Sequence, residues 1–306
     1  MAMPNKQSIR LVEVGARDGL QNEHLTLPPE TRVQLLTHLA DAGLRTLEAG
    51  AFVSPRWVPQ MAGSDQVFKQ LPMRPSVSWT ALVPNLQGLE AALAVGCQEV
   101  AVFVAASEAF SQKNTNCSIA ESLTRVQQVI DRAKAAQVKV RVYVSCVMGC
   151  PFTGRVDPNK VADISASLYQ MGCYEISLGD TVGTGTPAAT KALIAACAQQ
   201  VPVAALAGHF HDTYAMAIAN IYAAIEAGVS VFDSSVAGLG GCPYSPGATG
   251  NVATENLVYL LDGLGIEHGV NLDALIETGE FINAALGRKE RSSVARALLA
   301  KHRTGA

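Results

Sequence analysis

Eight short segments rich in β-branched residues alternate along this chain with eight amphipathic segments rich in alanine and leucine. Strict alternation predicts parallel strand pairing, because parallel neighbours need a crossover connection. Eight evenly spaced units favour an α/β fold of the closed (β/α)8 TIM-barrel type over an open doubly wound sheet. The predicted strands span residues 9–14, 45–50, 76–83, 99–105, 139–145, 174–179, 201–208 and 230–236. The predicted helices span residues 29–42, 60–71, 86–95, 118–136, 158–171, 187–199, 213–227 and 252–263.

Two further helical segments, at residues 272–287 and 291–303, follow the eighth unit. We expect them to pack against the barrel as extra C-terminal helices. A chain of 306 residues suits one such barrel, and its sequence contains neither a linker nor a low-complexity stretch. We therefore predict a single domain over residues 1–306, with the barrel at about 8–265 and the helical tail at about 270–303.

The composition narrows the classes of function. Hydrophobic residues make up 49% of the chain and charged residues 16%, so a large core is expected and disorder is not. A formal net charge of −3 argues against a nucleic-acid partner, since proteins that bind nucleic acid are more often basic. No run approaches the roughly 18 apolar residues of a membrane span, so no membrane partner is expected.

The first residues and the cysteines bear on the cellular compartment. The start of the chain lacks the apolar stretch of a signal peptide, so a cytoplasmic location is expected. In that compartment the seven cysteines should be reduced thiols. Cys146 and Cys150 have no second pair at zinc-ribbon spacing, which argues against structural zinc. For Cys242, in the glycine-rich stretch 238–251, the residues leave two roles open: an inert thiol or a reactive one.

The sharpest short signal is "HFHDT" at 209–213, where the seventh strand ends. Residues two apart on a strand point to the same face, so His209 and His211 should converge while Phe210 turns away. Two imidazoles at the mouth of a barrel suit a divalent metal. The alternative is one structural histidine beside one general base.

Other polar residues collect where further strands end, which is the active-site face of such a barrel. Asp18 and Asp180 are candidate ligands, with a turn or capping role as the alternative. Arg17 could stabilise an oxyanion or simply form a salt bridge. Glu48 should be the buried carboxylate that holds Arg17. Lys113 lies with Asn114 in a stretch that could contact an anion or be an ordinary solvated loop.

Seven long motifs, in order, carry a resemblance to a known family. They are "VEVGARDGLQNE", "EAGAFVSPRWVPQMA", "KNTNCSIAES", "SCVMGCPFTGRV", "EISLGDTVGTGTP", "HFHDTYAMAIANI" and "DSSVAGLGGCPYSPGATGNVATENLVYLLDGLGI". From about residue 8 to about 297 the chain resembles the 3-hydroxy-3-methylglutaryl-CoA lyases, metal-dependent TIM barrels. The resemblance implies cleavage of that acyl-CoA to acetoacetate and acetyl-CoA, the chemistry of leucine degradation, with a longer-branched analogue as a further candidate substrate.

The resemblance also implies roles for individual residues. Mg²⁺ or Mn²⁺ would be held by residues that match the family's ligands: Asp18, His209, His211 and Asn251. The matching catalytic set is Arg17, its partner Glu48, the proton-transfer residue Asp180 and the cysteine Cys242, with His209 as a second candidate base. Lys113 and Asn114 match positions where the CoA part of the substrate enters. We also expect a homodimer.

Two departures and two alternatives accompany the resemblance. Phe210 replaces a small residue between the histidines, and "TYAMA" at 213–217 replaces the more usual "TYGQA". The first alternative is a condensing synthase of the same superfamily, similar to isopropylmalate or homocitrate synthase, which uses acetyl-CoA. Such synthases usually carry sizeable extra C-terminal domains, which argues against this alternative. The second is a non-catalytic barrel that serves as a binding protein, which the intact set of site residues disfavours.

Overall fold

The computed structural model describes residues 8–241 and 249–304. Eight parallel strands close into a barrel in the order β1-β8-β7-β6-β5-β4-β3-β2, which confirms the predicted fold class. The barrel strands are β1 (Arg10–Glu13), β2 (Thr46–Ala51), β3 (Ser78–Leu82), β4 (Glu99–Ala105), β5 (Lys139–Ser145), β6 (Glu175–Asp180), β7 (Leu206–Phe210) and β8 (Val231–Ser234). A small antiparallel hairpin of Gly149–Cys150 and Gly154–Arg155 follows β5.

Helices connect the strands and cover the barrel. They are α1 (Pro29–Asp41), α2 (Ser64–Gln70), α3 (Leu86–Ala94), α4 (Glu108–Thr115), α5 (Ile119–Ala135), α6 (Pro158–Met171), α7 (Pro187–Cys197), α8 (Ala217–Glu226), α9 (Thr254–Leu264), α10 (Leu272–Leu286) and α11 (Ser293–Thr304). Within the described ranges, no helix combines the length and the hydrophobicity that a bilayer crossing requires.

Local sequence signals set several helix ends. Ser118 caps α5 in a capping box with Glu121, and the amphipathic face of this helix is buried against the sheet. Thr186 accepts the Ala189 N–H, with Pro187 in the first turn of α7. Gly172, in the αL conformation that favours glycine, ends α6.

Three predicted boundaries were wrong. Strand β7 begins at Leu206 because a 3₁₀ turn, Val203–Ala205, follows Pro202, whose ring cannot donate to a strand ladder. Helix α8 begins at Ala217 rather than at 213. The predicted helix 60–71 is divided into a 3₁₀ turn, Pro59–Met61, and α2.

A further difference is α4, a helix where a loop was considered from the sequence. Ser107 provides its N-cap by accepting the Phe110 N–H.

The main apolar core lies between the strands and the surrounding helices, where β-branched side chains pack against leucine and alanine. The interior of the barrel is different. A small separate cluster of Val12, Val14, Ala207 and Val231 is its apolar part. Much of the remaining interior is polar, and it divides into two groups of buried charges.

The first group lies toward the amino ends of the strands and is called here the lower ionic layer: Arg10, Arg141, Glu175, Ser177 and Asp233. Arg141 donates from Nε to Glu175 Oε1 at 2.6 Å and from Nη2 to Asp233 Oδ1 at 2.6 Å. The Glu175 carboxylate also pairs with Arg10. Because Arg141 on β5 reaches Asp233 on β8, these contacts cross the interior of the barrel.

Candidate active site

The second group of charges lies at the carboxyl ends of the strands. Its members come from four separate chain segments and are called here the upper polar cluster: Arg17, Asp18, Glu48, His209, His211 and Asn251. Each of these residues was singled out from the sequence. Their side chains approach one another in the structure, with the distances given below.

Arg17 and Asp18 are placed by a π-helical turn, Gly15–Gly19, directly after β1. Such turns are rare in proteins, and those that do occur are often found at functional sites. The backbone N–H groups of Arg17 and Gly19 both donate to the Val14 carbonyl at 3.1 Å, so the turn projects consecutive side chains into the barrel mouth.

The Arg17 guanidinium is held by two carboxylates. Its Nε donates to Glu48 Oε2 and its Nη1 to Asp18 Oδ1, both at 2.6 Å. The contact with Glu48 is the one expected from the sequence. Burial opposes the charge on Arg17, but the two carboxylates outweigh burial and raise its pKa above the ordinary value. Arg17 is therefore a fixed cation in a largely desolvated site.

The two histidines converge as their spacing predicts. His209 Nε2 lies 3.3 Å from His211 Nε2, while the Phe210 side chain is buried elsewhere, against Gly208. An oxygen of Asp18 joins them, and the ligand atoms of the three residues lie within 4.8 Å of one another. Two imidazole nitrogens and one carboxylate oxygen form a donor set that suits a divalent cation.

The protonation states also fit a cation. Burial and the neighbouring His209 lower the pKa of His211 to about 4, so its ring is neutral at pH 7. Burial raises the pKa of Asp18, but Arg17 and the two histidines outweigh it, and the net pKa is about 2. Neutral imidazoles and an ionised carboxylate are the forms that bind metal ions.

Asn251 completes the cluster from the far end of the glycine-rich stretch. Its backbone pairs with His211, and its Nδ2 donates to Asp18 Oδ2 at 2.8 Å. Close packing makes glycine necessary at the preceding residue, because a Cβ on Gly250 would lie 2.4 Å from the Gly241 N atom. The φ of Gly250, +86°, is also one that glycine adopts without strain.

Cys242 lies outside the described residues. The segments on either side of it, at Gly241 and Gly250, are in direct contact. The two ends of the stretch that contains Cys242 therefore lie together, beside Asn251. The role of Cys242 remains a prediction.

Asp180 ends β6, next to the histidine strand in the sheet. Its Oδ2 accepts the Gly185 N–H at 2.8 Å, whereas its Oδ1 has no hydrogen-bond partner among the described residues. Burial raises the pKa of Asp180, and this outweighs the opposite effect of the backbone N–H groups of the following loop. Asp180 does not belong to the three-residue candidate metal cluster of the described chain.

Lys113 and Asn114 lie on exposed positions of α4, which follows the carboxyl end of β4. They are on a helix rather than in the solvated loop considered from the sequence. Their role in CoA binding stays a prediction.

Sequence reasoning missed two residues that contact the upper polar cluster. Tyr143 donates to Glu48 Oε2 at 3.2 Å, and its ring lies beneath the Arg17 guanidinium, 5.4 Å from centroid to Cζ. Asp233 contacts His209 Nδ1 at 3.1 Å. A signal was available for Asp233, since a charged residue in the middle of a buried strand is rare unless it is paired.

Fold and site together define a class: a (β/α)8 barrel with a candidate divalent-metal centre beside a buried arginine. The HMGL-like family model matches residues 8–282. A hydroxymethylglutaryl-CoA lyase of Pseudomonas mevalonii is 61% identical over 96% of this chain and 98% of its own length. The Pseudomonas aeruginosa 3-hydroxy-3-isohexenylglutaryl-CoA/hydroxymethylglutaryl-CoA lyase is 58% identical over 98% of this chain and 100% of its own.

Solved structures agree with these relatives. The crystal structure of a hydroxymethylglutaryl-CoA lyase from Pseudomonas aeruginosa superposes with a TM-score of 0.95 at 57% identity, covering 98% of this chain and 100% of that one. The chain belongs to the HMGL-like family. These comparisons do not favour the condensing synthase considered from the sequence.

Proposed function

We propose that this chain is a carbon–carbon lyase that cleaves 3-hydroxy-3-methylglutaryl-CoA to acetoacetate and acetyl-CoA. The observation that carries the proposal is the approach of Asp18, His209 and His211 to one point beside Arg17. Relatives at 61% and 58% identity over almost the whole chain carry the name of this activity.

Asp18, His209, His211 and Asn251 would hold the cation, with Mg²⁺ or Mn²⁺ as the proposed ion. When bound, such a cation acts as a Lewis acid toward the substrate's hydroxyl and carboxylate oxygens. In the Asn251 amide, Nδ2 faces Asp18 in this structure, so the opposite amide atom, Oδ1, is the one available as a ligand.

The proton moves from the tertiary hydroxyl to the new carbanion carbon, and the chain supplies a group for each end of that transfer. Asp180 is the proposed base, because burial makes its carboxylate more basic than usual and one oxygen has no other partner among the described residues. His209 is the second candidate. Loss of the hydroxyl proton lets the carbon–carbon bond break, and its electrons pass into the thioester as an enolate.

Arg17 would stabilise the enolate oxygen, a charge that exists only as the reaction proceeds. Glu48 and Asp18 already hold the Arg17 guanidinium in place, so it need not move as the enolate forms. Its attraction for the enolate oxygen therefore lowers the barrier. Cys242 is the proposed acid that protonates the enolate carbon. A thiol can serve near neutral pH because its ordinary pKa is about 8.5.

One relative bears on the acyl branch of the substrate. The Pseudomonas aeruginosa relative is named for both a methyl and an isohexenyl branch, and it is 58% identical to this chain. We propose the methyl substrate as the main one and the isohexenyl compound as a second. Lys113 and Asn114 on α4 are the proposed contacts for CoA.

The assembly and location are also proposals. We propose one domain, because the tail packs on the barrel: Asn271 N–H donates to the Ala42 carbonyl at 2.7 Å, and Arg288 pairs with Glu23 at 2.5 Å. A cytoplasmic homodimer acting in leucine degradation remains the expectation from the sequence. Size-exclusion chromatography with light scattering measures the molar mass in solution and so tests the dimer directly.

The central experiment measures acetyl-CoA release from both acyl-CoA substrates with Mg²⁺, with Mn²⁺ and with a chelator. Activity on the methyl compound that disappears with chelator and returns with either ion is the expected result. Release of acetyl-CoA that persists after the protein has been stripped of metal would contradict the metal role. Consumption of acetyl-CoA with a 2-oxo acid would instead identify a synthase.

A further inference from the structure

Asp233 is a buried carboxylate that joins the lower ionic layer to the upper polar cluster. It lies on β8, is 2% exposed, and faces the barrel interior. Its Oδ1 accepts from Arg141 Nη2 at 2.6 Å. Its Oδ2 accepts from Ser177 Oγ at 2.7 Å and from Arg141 Nη1 at 3.3 Å, and it contacts His209 Nδ1 at 3.1 Å. Arg141 and Ser177 are the donors in their contacts with this carboxylate.

The contacts decide where the proton between Asp233 and His209 lies. Asp233 forms an ion pair with Arg141, so its carboxylate can only accept hydrogen bonds. The hydrogen in the 3.1 Å contact must therefore be on His209 Nδ1. In a neutral imidazole with Nδ1 protonated, Nε2 carries the lone pair. That Nε2 is the atom that faces His211 Nε2 at 3.3 Å, and both histidines belong to the candidate metal cluster.

We propose that Asp233 is a positioning residue that fixes His209 in the Nδ1–H form, so that its Nε2 lone pair points at the candidate cation site. Arg141 holds the carboxylate in place by reaching across the barrel from β5. This inference rests on the proposed metal-dependent function. A metal-binding histidine commonly donates its other ring N–H to a carboxylate, and mutation of that carboxylate typically lowers metal affinity 10- to 100-fold.

The chain offers a matched control. Glu175 accepts from Arg141 Nε at 2.6 Å, as Asp233 accepts from Nη2, and it is equally buried. No contact joins Glu175 to His209 among the interactions of the described residues. Glu175→Gln thus removes one charge from the same ionic layer without touching the histidine.

The test compares Mn²⁺ binding to the wild-type protein, Asp233→Asn and Glu175→Gln, using the electron paramagnetic resonance signal of free Mn²⁺. Asp233→Asn is expected to weaken Mn²⁺ binding about 10- to 100-fold, and Glu175→Gln by less than about threefold. Equal losses in both variants, or unchanged binding in Asp233→Asn, would overturn the proposal. Wild-type protein that binds no Mn²⁺ would overturn it as well.

A second measurement needs no substitution at Asp233 and so does not depend on that variant folding. The ¹⁵N imidazole shifts of metal-free wild-type protein report which nitrogen of each histidine is protonated, and His209→Gln assigns the relevant signals. Protonated Nδ1 on His209 is expected, and protonated Nε2 with bare Nδ1 would refute the proposal. Neither readout uses the acyl-CoA, so a protein with the expected binding but no cleavage would refute the proposed function alone.

Discussion

The two buried charge groups of the barrel are built from similar residues and differ in how completely their hydrogen bonds are satisfied. In the lower ionic layer, both oxygens of Glu175 and both oxygens of Asp233 accept from a cation. In the upper polar cluster, Glu48 Oε1 is buried without a hydrogen-bond partner among the described residues, and two imidazole nitrogens face each other.

The difference separates structure from function. A saturated group of buried charges has nothing left to offer a ligand, and its removal should mainly change stability. A group with unused acceptors is costly to keep unless something binds there. Among the described residues, three of the five non-glycine residues with positive φ, Cys146, Ala215 and Ala237, follow the carboxyl ends of barrel strands.

The largest expected effect is on catalysis. Arg17→Gln should lower the turnover number for acetyl-CoA release by about 10²- to 10³-fold, because an oxyanion donor acts mainly in the transition state. Steady-state kinetics measures it, with the exposed Arg125→Gln on α5 as the control. An effect confined to the Michaelis constant would count against oxyanion stabilisation.

In the lower ionic layer the largest effect should be on stability. Arg141→Met leaves Asp233 and Glu175 buried without their shared cation, which should cost about 3–5 kcal/mol of unfolding free energy. Denaturant unfolding measures this. Arg132→Met breaks the exposed pair with Glu90 and should cost less than about 1 kcal/mol. Similar losses in the two variants would mean that the saturated layer contributes little.

Glu255 is a buried glutamate that forms no ion pair within the described part of the chain, and it tests the comparison through pH. Burial raises the pKa of Glu255 to about 8, although its carboxylate accepts the Ala237 N–H at 2.8 Å. The folded state therefore binds a proton on Glu255 more tightly than the unfolded state, in which the pKa of this side chain is 4.5. The free energy of unfolding consequently falls as pH rises from the lower pKa to the higher one.

Glu255→Gln cannot titrate and should remove that fall. The variant should match wild type near pH 5 and exceed it by roughly 2–4 kcal/mol near pH 9. Unfolding measured across this range, with the exposed Glu280→Gln on α10 as control, gives the answer. Parallel pH profiles for wild type and Glu255→Gln would show that Glu255 is not protonated in the folded state.

The smallest effect concerns strain beside the upper polar cluster. Ala215 has a φ of +58°, a left-handed conformation that glycine adopts without a Cβ clash. Ala215→Gly should raise stability by about 0.5–1 kcal/mol, after allowing for the greater freedom of glycine in the unfolded chain. Ala219→Gly, within α8, should have the opposite sign. A lower melting temperature for Ala215→Gly would show that the turn is not strained.

Much of the architecture could be predicted because it depends on local patterns. The repeated strand–helix alternation gave the barrel, and the spacing of His209 and His211 gave their convergence. The start of β7 could not be predicted, since "VPVAALAG" has a strand-like composition and only its tertiary setting divides it between a 3₁₀ turn and a strand. Helix α4 was missed because its short polar sequence has weak periodicity.

The sequence by itself determined the closed barrel, the family resemblance and the polar residues at the strand ends, because periodicity and chain order are written in it. Only the tertiary structure decided that Arg141, Glu175 and Asp233 meet across the barrel, 34 and 92 positions from Arg141 along the chain. Long-range pairings of this kind depend on how the strands close. Closure also gives Asp233 its place against His209, the contact that links the saturated charges below to the open site above.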